Sequence, residues 1–593
     1  MEERQSMAGY EREEEKKKNK KKKQLGGFRT MPFILANEIC DRFATAGFNA
    51  NMIQYLQNEL HLPLIQATNT LTNFGGTASL TPIIGAVVAD SFAGRFWTIT
   101  VGSLIYQLGM IGVTISAILP VFRPPPCPLR SPSCHQASAW QQAFFYISLL
   151  LTAIGSGGLR PCVVAFGAEQ FELDRPQPNG PKTGSSFFNF FFFSMGLSVL
   201  LALTVVVYIQ DNVGWGLGFG IPTMAMFISV IVFVVGYPLY IRRKPGGSPM
   251  TRLAQVVVAA VRKRKLAMPA DAELLYQDKE LDADISIAGR LLHTDHLMFF
   301  DRAAIPTAGD ISDTGRPHPW RLSTVHRVEE LKSIIRMIPI WSVGILIITA
   351  ASHNYTFTII QANYMDRRLA RNFDIPAATL SIFSVISMLL TLAIYDRLFV
   401  PFARRLTGHP NGISYLRRMA IGLAISLLSN LSAALVETRR RRAANAGNQL
   451  SVFWLVPQYA VHGVADGFSS VGHMEFLYDQ APESMRSTAA ALFWLSASVG
   501  NYGGTLLVTL VGNLTKKTKQ GNWLQNDINK GRLDYYYWLV AGLQVLNFGY
   551  YLLCARFYRF KPLEIAGAGA GEKSVDVELA EAGKGTLSCD GDE

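Results

Sequence analysis

Residues 33–43 read Phe-Ile-Leu-Ala-Asn-Glu-Ile-Cys-Asp-Arg-Phe, which sets two acids and a base, Glu38, Asp41 and Arg42, inside an otherwise apolar segment. At about 100° per residue on a helix the three fall within an arc of about 100°, so they can face one cavity. An unpaired charge in hydrocarbon costs several kcal/mol, so these groups must face water or one another. Two chemistries fit. One is a structural ion pair that stabilises a single helix. The other is a protonation and coupling site, because desolvation raises a carboxyl towards neutral pKa.

A second constellation is Gly155-Ser-Gly-Gly-Leu-Arg160-Pro161, a run of small residues that lets helices approach closely, followed by a cation. The planar guanidinium of Arg160 suits a carboxylate or a nitrogen oxyanion. Glu475, in Gly472-His-Met-Glu475-Phe476, lies at a comparable depth and is its candidate partner, either as a fixed bridge or as a gate that breaks during a cycle. His353, Tyr355 and Asn189, the last within the aromatic run Phe187 to Phe193, complete the candidate substrate-binding set with Arg160 and Glu475. A lone imidazole is equally well a packed core group. Asp90, Gly94 and Arg95 form a charged turn that can latch helix ends.

The elements that must carry these residues are membrane spans. The chain has 593 residues, 49% hydrophobic and 17% charged. Twelve apolar segments are long enough to cross about 30 Å of hydrocarbon: 31–58, 66–92, 95–119, 141–166, 185–210, 215–241, 336–362, 376–402, 412–436, 450–479, 487–513 and 534–559. The organisation predicted is an all-α membrane protein of two six-helix bundles, 31–241 and 336–561. They are joined by a cytoplasmic linker, 242–335, between a disordered N-tail, 1–30, and C-tail, 562–593. The linker contains a basic amphipathic piece, Ala254 to Leu266, which either lies along the membrane or forms a solvated helix.

The net charge of +12 sits in tails and loops beside spans, the pattern of membrane topology, and calls for no nucleic-acid partner. It places both termini inside, although Arg439 to Arg442 and Lys516, Lys517 and Lys519 then lie outside against the positive-inside rule. The N-tail mixes Glu with Lys and reads as neither signal nor transit peptide. Cys127 and Cys134 share a Pro-rich outer loop, as a disulfide or as two thiols. Asn513-Leu-Thr515 is a glycosylation sequon on the proposed outer side. No phosphate loop, HExxH helix or GxSxG elbow occurs, so no enzyme chemistry, metal or cofactor is expected, with protons as the coupling ion.

These motifs together resemble the plant nitrate transporter 1/peptide transporter family, the proton-coupled oligopeptide transporter branch of the major facilitator superfamily, over about 27–561. Glu38-x-x-Asp41-Arg42 resembles the family's ExxE[R/K], and Asp90-Ser-Phe-Ala-Gly94-Arg95 its loop 2–3 motif. Phe166 to Phe171, Phe300 to Ile305, Gln361 to Arg367 and Tyr478 to Arg486 are similar to further family signatures. Phe43 to Phe48 and Thr70 to Gly75 look most like the subgroup associated with nitrite, nitrate and gibberellin.

The resemblance implies a major facilitator fold and alternating access, with protons on the span 1 acids Glu38 and Asp41, Arg42 completing the coupling set, and an Arg160–Glu475 pair. It implies symport of a small anion such as nitrite, nitrate or a carboxylate hormone such as gibberellin. A di- or tripeptide symporter and a transport-inactive sensor are the alternatives. Expected partners are the solute, protons and membrane lipids, with the chain a monomer or weak dimer. The plasma membrane is the expected address, with plastid envelope and tonoplast as alternatives. Three positions depart from the pattern: Asp41 replaces the second glutamate, Arg160 replaces a lysine, and the span 7 histidine of nitrate recognition falls at Ala351, two residues from His353. Thr98 falls where one branch is phosphorylated.

Overall fold

The computed structural model describes residue 26 and residues 29–564, apart from 127–134, 171–194, 242–248, 283–289, 408–412 and the short stretches 270, 279, 313–315, 371–372, 483–485, 517–520 and 561–562. Asn189, Cys127 and Cys134 lie outside the described residues. Among the described residues, twelve long helices and one linker helix organise the chain. The first six are α1 (Met31–Asn58), α2 (Leu64–Val88), α3 (Arg95–Ile118), α4 (Ala139–Glu169), α5 (Met195–Asn212) and α6 (Trp215–Val235). The linker helix α7 (Pro249–Arg262) follows. The last six are α8 (Val325–Asn363), α9 (Ala377–Ala403), α10 (Tyr415–Asn445), α11 (Val456–Gln480), α12 (Arg486–Thr515) and α13 (Leu533–Phe557).

Among the described residues, nine of these helices are long and apolar enough to cross a membrane. The other three long ones, α1, α11 and α12, fall short for a chemical reason. They carry Asn37, Glu38, Asp41 and Arg42, then His462, Asp466, His473 and Glu475, then Ser496, Ser498, Asn501 and Asn513. Polar groups in a spanning helix are tolerated where they face a cavity or another helix.

The chain divides into two compact units. One comprises Met1–Ser248, Met337–Asp479 and Ser487–Tyr558, and the other Pro249–Arg336, Gln480–Arg486 and Arg559–Glu593. In the first unit, α4 is wedged against α2 and α3 through glycine. A Cβ on Gly85 would lie 2.0 Å from the Gly157 carbonyl, and one on Gly155 would lie 2.2 Å from the Tyr106 amide. The small-residue run thus seats α4 backbone to backbone and orients Arg160 one turn further on. Gln170, in the Phe166–Phe171 motif, clasps the segment that follows α6 both ways: its Nε2 donates to the Ile241 carbonyl at 3.1 Å and its Oε1 accepts from the Ile241 amide at 2.8 Å.

Two of the arginines that offend the positive-inside rule are paired with acids locally. Arg440 is buried and grips Glu437 at 2.8 and 2.9 Å. Arg441 meets Asp534 at 2.8 Å, and the Arg439 guanidinium lies 4.1 Å over the Trp454 ring. Asn513 sits on a helix, and its sequon threonine, Thr515, is buried with its hydroxyl donating to Val511, a poor context for modification. Thr98 is likewise buried, donating to the Gly94 carbonyl at 3.0 Å.

In the second unit, Val256, Ala259 and Ala260 of α7 pack on Ala303, Ala304, Val325 and Val328. The face left open by the sequence to a membrane or to water is therefore covered by protein. The Phe300–Ile305 motif is a short 3-10 helix whose Asp301 pairs with the fully buried Lys332 at 2.7 Å. Lys263 Nζ donates to Asp310 at 2.6 Å, with both side chains buried. Burial alone would push the Asp310 carboxyl up. Hydrogen bonds from Lys263 and Thr307 outweigh it and hold the carboxyl below its usual range. The stabilisation from this pair is therefore present at neutral pH and is lost as pH falls below the ordinary carboxylate range. Asp310→Ala, which strands the Lys263 ammonium, is expected to destabilise this unit by about 3–5 kcal/mol. Faster hydrogen exchange across 249–262 and 300–310 is the readout, and unchanged exchange would refute the pairing.

Candidate functional site

The centre of the site is built on α1. Glu38 and Asp41 are each 1% exposed, and Arg42 Nε donates to Glu38 Oε1 at 2.9 Å. The four-residue step between them places the pair one above the other on one face. Asp41 receives only a long bond from Thr45 at 3.4 Å, and its Oδ2 is buried with no partner. Thr45 in turn shares a 3.1 Å hydrogen bond with Tyr106 of α3. Asn37, fully buried one position before Glu38, has neither amide atom bonded. Such groups call for water or a ligand.

Arg160 faces the same cluster from α4. Its guanidinium is within electrostatic reach of Glu38 and of the Tyr106 hydroxyl, its Nε is buried without a partner, and it lies 5.8 Å from the Trp494 ring of α12. Four charged groups therefore converge from two helices. Taken as ionised, they sum to zero: two carboxylates against two guanidinium ions.

Glu475 does not join them. Its carboxylate accepts from Arg418 of α10 at 3.2 Å, while its side chain keeps 43% exposure. Arg418 is buried, donates also to the Gly467 carbonyl at 3.2 Å and stacks 4.3 Å over the Tyr395 ring. The Arg160–Glu475 bridge expected from sequence is thus open here, and Glu475 rests on a different arginine.

At the other ends of the helices, outer by the sequence topology, α2 and α12 are zipped together. Asn69 donates to Thr509 at 2.9 Å, the Thr72 and Thr505 hydroxyls meet at 2.5 Å, and Thr77 meets Tyr502 at 2.8 Å. Beside this seam lies an open cavity of about 1000 Å³ with a mixed lining that includes Gln66, Asn73, Phe74, Tyr146, Leu150 and Asp527.

His353 is not at the site. It is 1% exposed, its Nδ1 is 2.7 Å from the Tyr536 hydroxyl of α13, and its ring stacks on Phe357. Its Nδ1 is thus engaged within the C-terminal bundle, while its Nε2 is buried with no hydrogen-bond partner. Tyr355 is partly exposed, bonded to Ser384 of α9 at 3.1 Å and edge-on to His462. Asp90 belongs to a π-helical turn, Ala89–Ala93, closed by Gly94 at φ +75°, and Arg95 opens α3. Only glycine holds that φ without strain, which makes the turn a hinge of fixed direction between α2 and α3. Asn37, Thr45, Tyr106, Trp494 and Arg418 went unnoticed in the sequence. Asn37 alone had a signal, as an amide within the apolar stretch before Glu38.

Comparison with known proteins follows the same lines. The sequence model of the POT family, PTR2, matches residues 96–524. The chain is 55% identical over 565 residues to the Arabidopsis thaliana protein NRT1/PTR family 3.1, covering 93% of this chain and 94% of that protein. It is 41% identical to NRT1/PTR family 8.1 of the same plant, covering 90% and 94%. Among solved structures, an autoinhibited POT family peptide transporter superposes with a TM-score of 0.67 at 22% identity, over 91% of this chain and 99% of that one. The POT family transporter PepTSo gives 0.65 at 21% identity, over 89% and 98%. These similarities are to transporters, not enzymes, and the superpositions share the major facilitator fold. On this evidence the chain belongs to the POT family, as an NRT1/PTR-type multi-pass membrane transporter.

Proposed function

We propose that this transporter is a proton-coupled symporter of a small anionic solute, nitrite, nitrate or a carboxylate hormone such as gibberellin, working by alternating access. The observation that carries the reading is the neutral quartet of Glu38, Asp41, Arg42 and Arg160, sequestered between α1 and α4. An anion that binds Arg160 adds a negative charge to a desolvated site, which costs several kcal/mol unless it is compensated. A proton on Glu38 or Asp41 restores neutrality. Each ligand therefore strengthens the binding of the other, and proton and anion move together.

The conformation fits one stage of such a cycle. The outer ends are zipped through α2 and α12, while Arg160 and Glu475 stand apart. In the opposite stage Glu475 exchanges Arg418 for Arg160, and the zipper opens. The proposed address is the plasma membrane, where an acidic exterior supplies the inward proton gradient.

The test is uptake of nitrite, nitrate, gibberellin, abscisate and dipeptides by expressing cells at acidic and at alkaline external pH. Uptake of at least one anion that rises with acidity, uncompeted by dipeptides, is expected. Equal uptake of every solute at both values would reject coupling, and dipeptide competition would favour a peptide symporter. For the transported anion, Arg160→Gln is expected to raise KM about 10- to 100-fold, matching loss of about 1.5–3 kcal/mol from a charge-assisted hydrogen bond. Arg160→Lys, which keeps the charge and loses the fork, is expected to fall between.

A further inference from the structure

The open cavity beside the α2–α12 seam has no part in the mechanism above, and its length, walls and rim each limit what can fill it. It follows α2 from Pro63 to Thr77, which at about 1.5 Å per residue is about 21 Å. One leaflet supplies about 15 Å of hydrocarbon and about 5–7 Å of headgroup region. The groove therefore runs the depth of a single leaflet, from the outer end of α2 inwards.

One wall is apolar and turned to the bilayer. Leu150 of α4 is 49% exposed, and Ile147 and Ile154, three residues before and four after it, share that outward face at 58% and 43%. Phe74, Leu149 and Ala153 carry the wall further. The other wall is polar, since Gln66, Asn69, Thr70, Asn73 and Thr77 recur along one face of α2. Polar groups beside hydrocarbon need partners. The protein supplies part of them: Gln66 donates to Gln142 at 3.1 Å, and Asn73 accepts from Thr505 at 2.8 Å while remaining exposed. The Tyr146 hydroxyl has only long contacts, 3.4 Å from Gln66 and 3.4 Å from Thr70.

The rim is charged. Lys516 and Lys530 are exposed, and the Asp527 side chain keeps 41% exposure. Lys530 and Asp527 stand 3.9 Å apart, the loose end of an ion pair, so both can engage a further charge. Their loop is fixed over the head of the groove by Asn526, which accepts from the Leu64 amide at 2.8 Å. Two cations beside one anion complement a phosphate that carries an amine. A small inorganic anion would leave the long apolar wall bare, and a water-soluble solute has no need of a wall open to hydrocarbon.

We propose that this groove binds one amine-bearing zwitterionic phospholipid of the outer leaflet. Its phosphate lies at Lys516 and Lys530, its ammonium at Asp527, its ester carbonyls beside Gln66 and Tyr146, and one acyl chain along Phe74, Leu149 and Leu150. Such a lipid touches α2 and α4 on one side of the seam and the loop before α13 on the other. It braces the outer ends in their closed arrangement, and a ligand with that preference shifts the population towards closure. The consequence for closure rests on alternating access; the binding does not.

The test is native mass spectrometry of the full-length, delipidated protein titrated with phosphatidylethanolamine and with phosphatidylglycerol of the same chains. One phosphatidylethanolamine is expected to bind about 10-fold more tightly than phosphatidylglycerol, the value of one charge-assisted hydrogen bond. Asp527→Asn, which keeps an oxygen for the turn bond from the Asn529 amide, is expected to erase that preference. Leu150→Trp, which fills the groove from its exposed wall, is expected to weaken both lipids about 10-fold or more. Leu150→Met leaves the room open, controls for folding and should bind as the unsubstituted protein does. Equal binding of the two lipids, or binding untouched by Leu150→Trp, would mean annular lipid only and overturn the proposal. Displacement of the lipid by gibberellin or a dipeptide would also overturn it, assigning the groove to solute. Failure of the transport reading is separable: uptake indifferent to pH with selective lipid binding intact sinks symport alone.

Discussion

Glu38→Gln is expected to abolish concentrative uptake while leaving the protein folded and able to exchange solute across the membrane. Glutamine matches the size of Glu38 and can still accept from Arg42 Nε, now 2.9 Å from the carboxylate. It cannot take up and release a proton. With Asp41 ionised the quartet then stands at one positive charge, so an anion restores neutrality and crosses without recruiting H⁺. A gradient of about two pH units is worth about 2.7 kcal/mol per proton, or about 100-fold accumulation, since each unit is 1.36 kcal/mol. The variant is therefore expected to lose about that factor and to equilibrate solute instead of concentrating it. Counterflow of labelled solute should persist at a rate comparable to the unsubstituted protein. Accumulation at the normal ratio in the variant would remove Glu38 from the coupling step.

The second large effect is mechanical. Thr72 and Thr505 present hydroxyls 2.5 Å apart across the seam between α2 and α12. Thr72→Cys combined with Thr505→Cys should place two sulfurs within reach of a disulfide. If the outer ends must part for solute to enter, oxidation traps the protein closed. Uptake is then expected to fall by about 100-fold or more, to background, and to recover on adding reductant, because a covalent bond removes one of the two states that alternating access needs. Each single substitution serves as its control and should respond little to oxidant. Full uptake with the cross-link complete would show that this seam is a permanent joint.

How much of this was legible in the sequence depended on whether a residue's role was local. Glu38, Asp41 and Arg42 announced themselves because three ionisable groups within one turn of an apolar helix have few physical explanations. The small-residue run before Arg160 foretold close packing, and Gly85 and Gly155 show it. Partnerships across long separations were hidden. Glu475 was matched to Arg160 on depth and on the family resemblance, but Arg418, 57 residues away, holds it in this conformation. A bridge that forms in only one stage of a cycle has no signature in spacing. The surroundings of His353 were hidden in the same way, since only the fold reveals that Tyr536, 183 residues on, packs against it.

Helix limits shifted for a related reason. Hydropathy placed the start of the seventh span at 336, whereas α8 begins at Val325. Its first turns carry His326, Glu329, Glu330 and Lys332, all buried. Ion pairing compensates them, as between Lys332 and Glu329 at 2.9 Å, and a hydropathy window cannot register that compensation. Conversely, the helices with the weakest apolar signal, α1, α11 and α12, bear the groups on which the account relies.

The most direct test of proton–solute coupling uses purified protein in liposomes that enclose a pH-sensitive dye. Inward gradients of nitrite, gibberellin and a dipeptide are imposed in turn, with protein-free liposomes as the blank for leakage of the undissociated acids. The account predicts that the lumen acidifies above the blank with at least one anion, and that Glu38→Gln eliminates the excess. Entry of an anion at full rate with no acidification beyond the blank would contradict it.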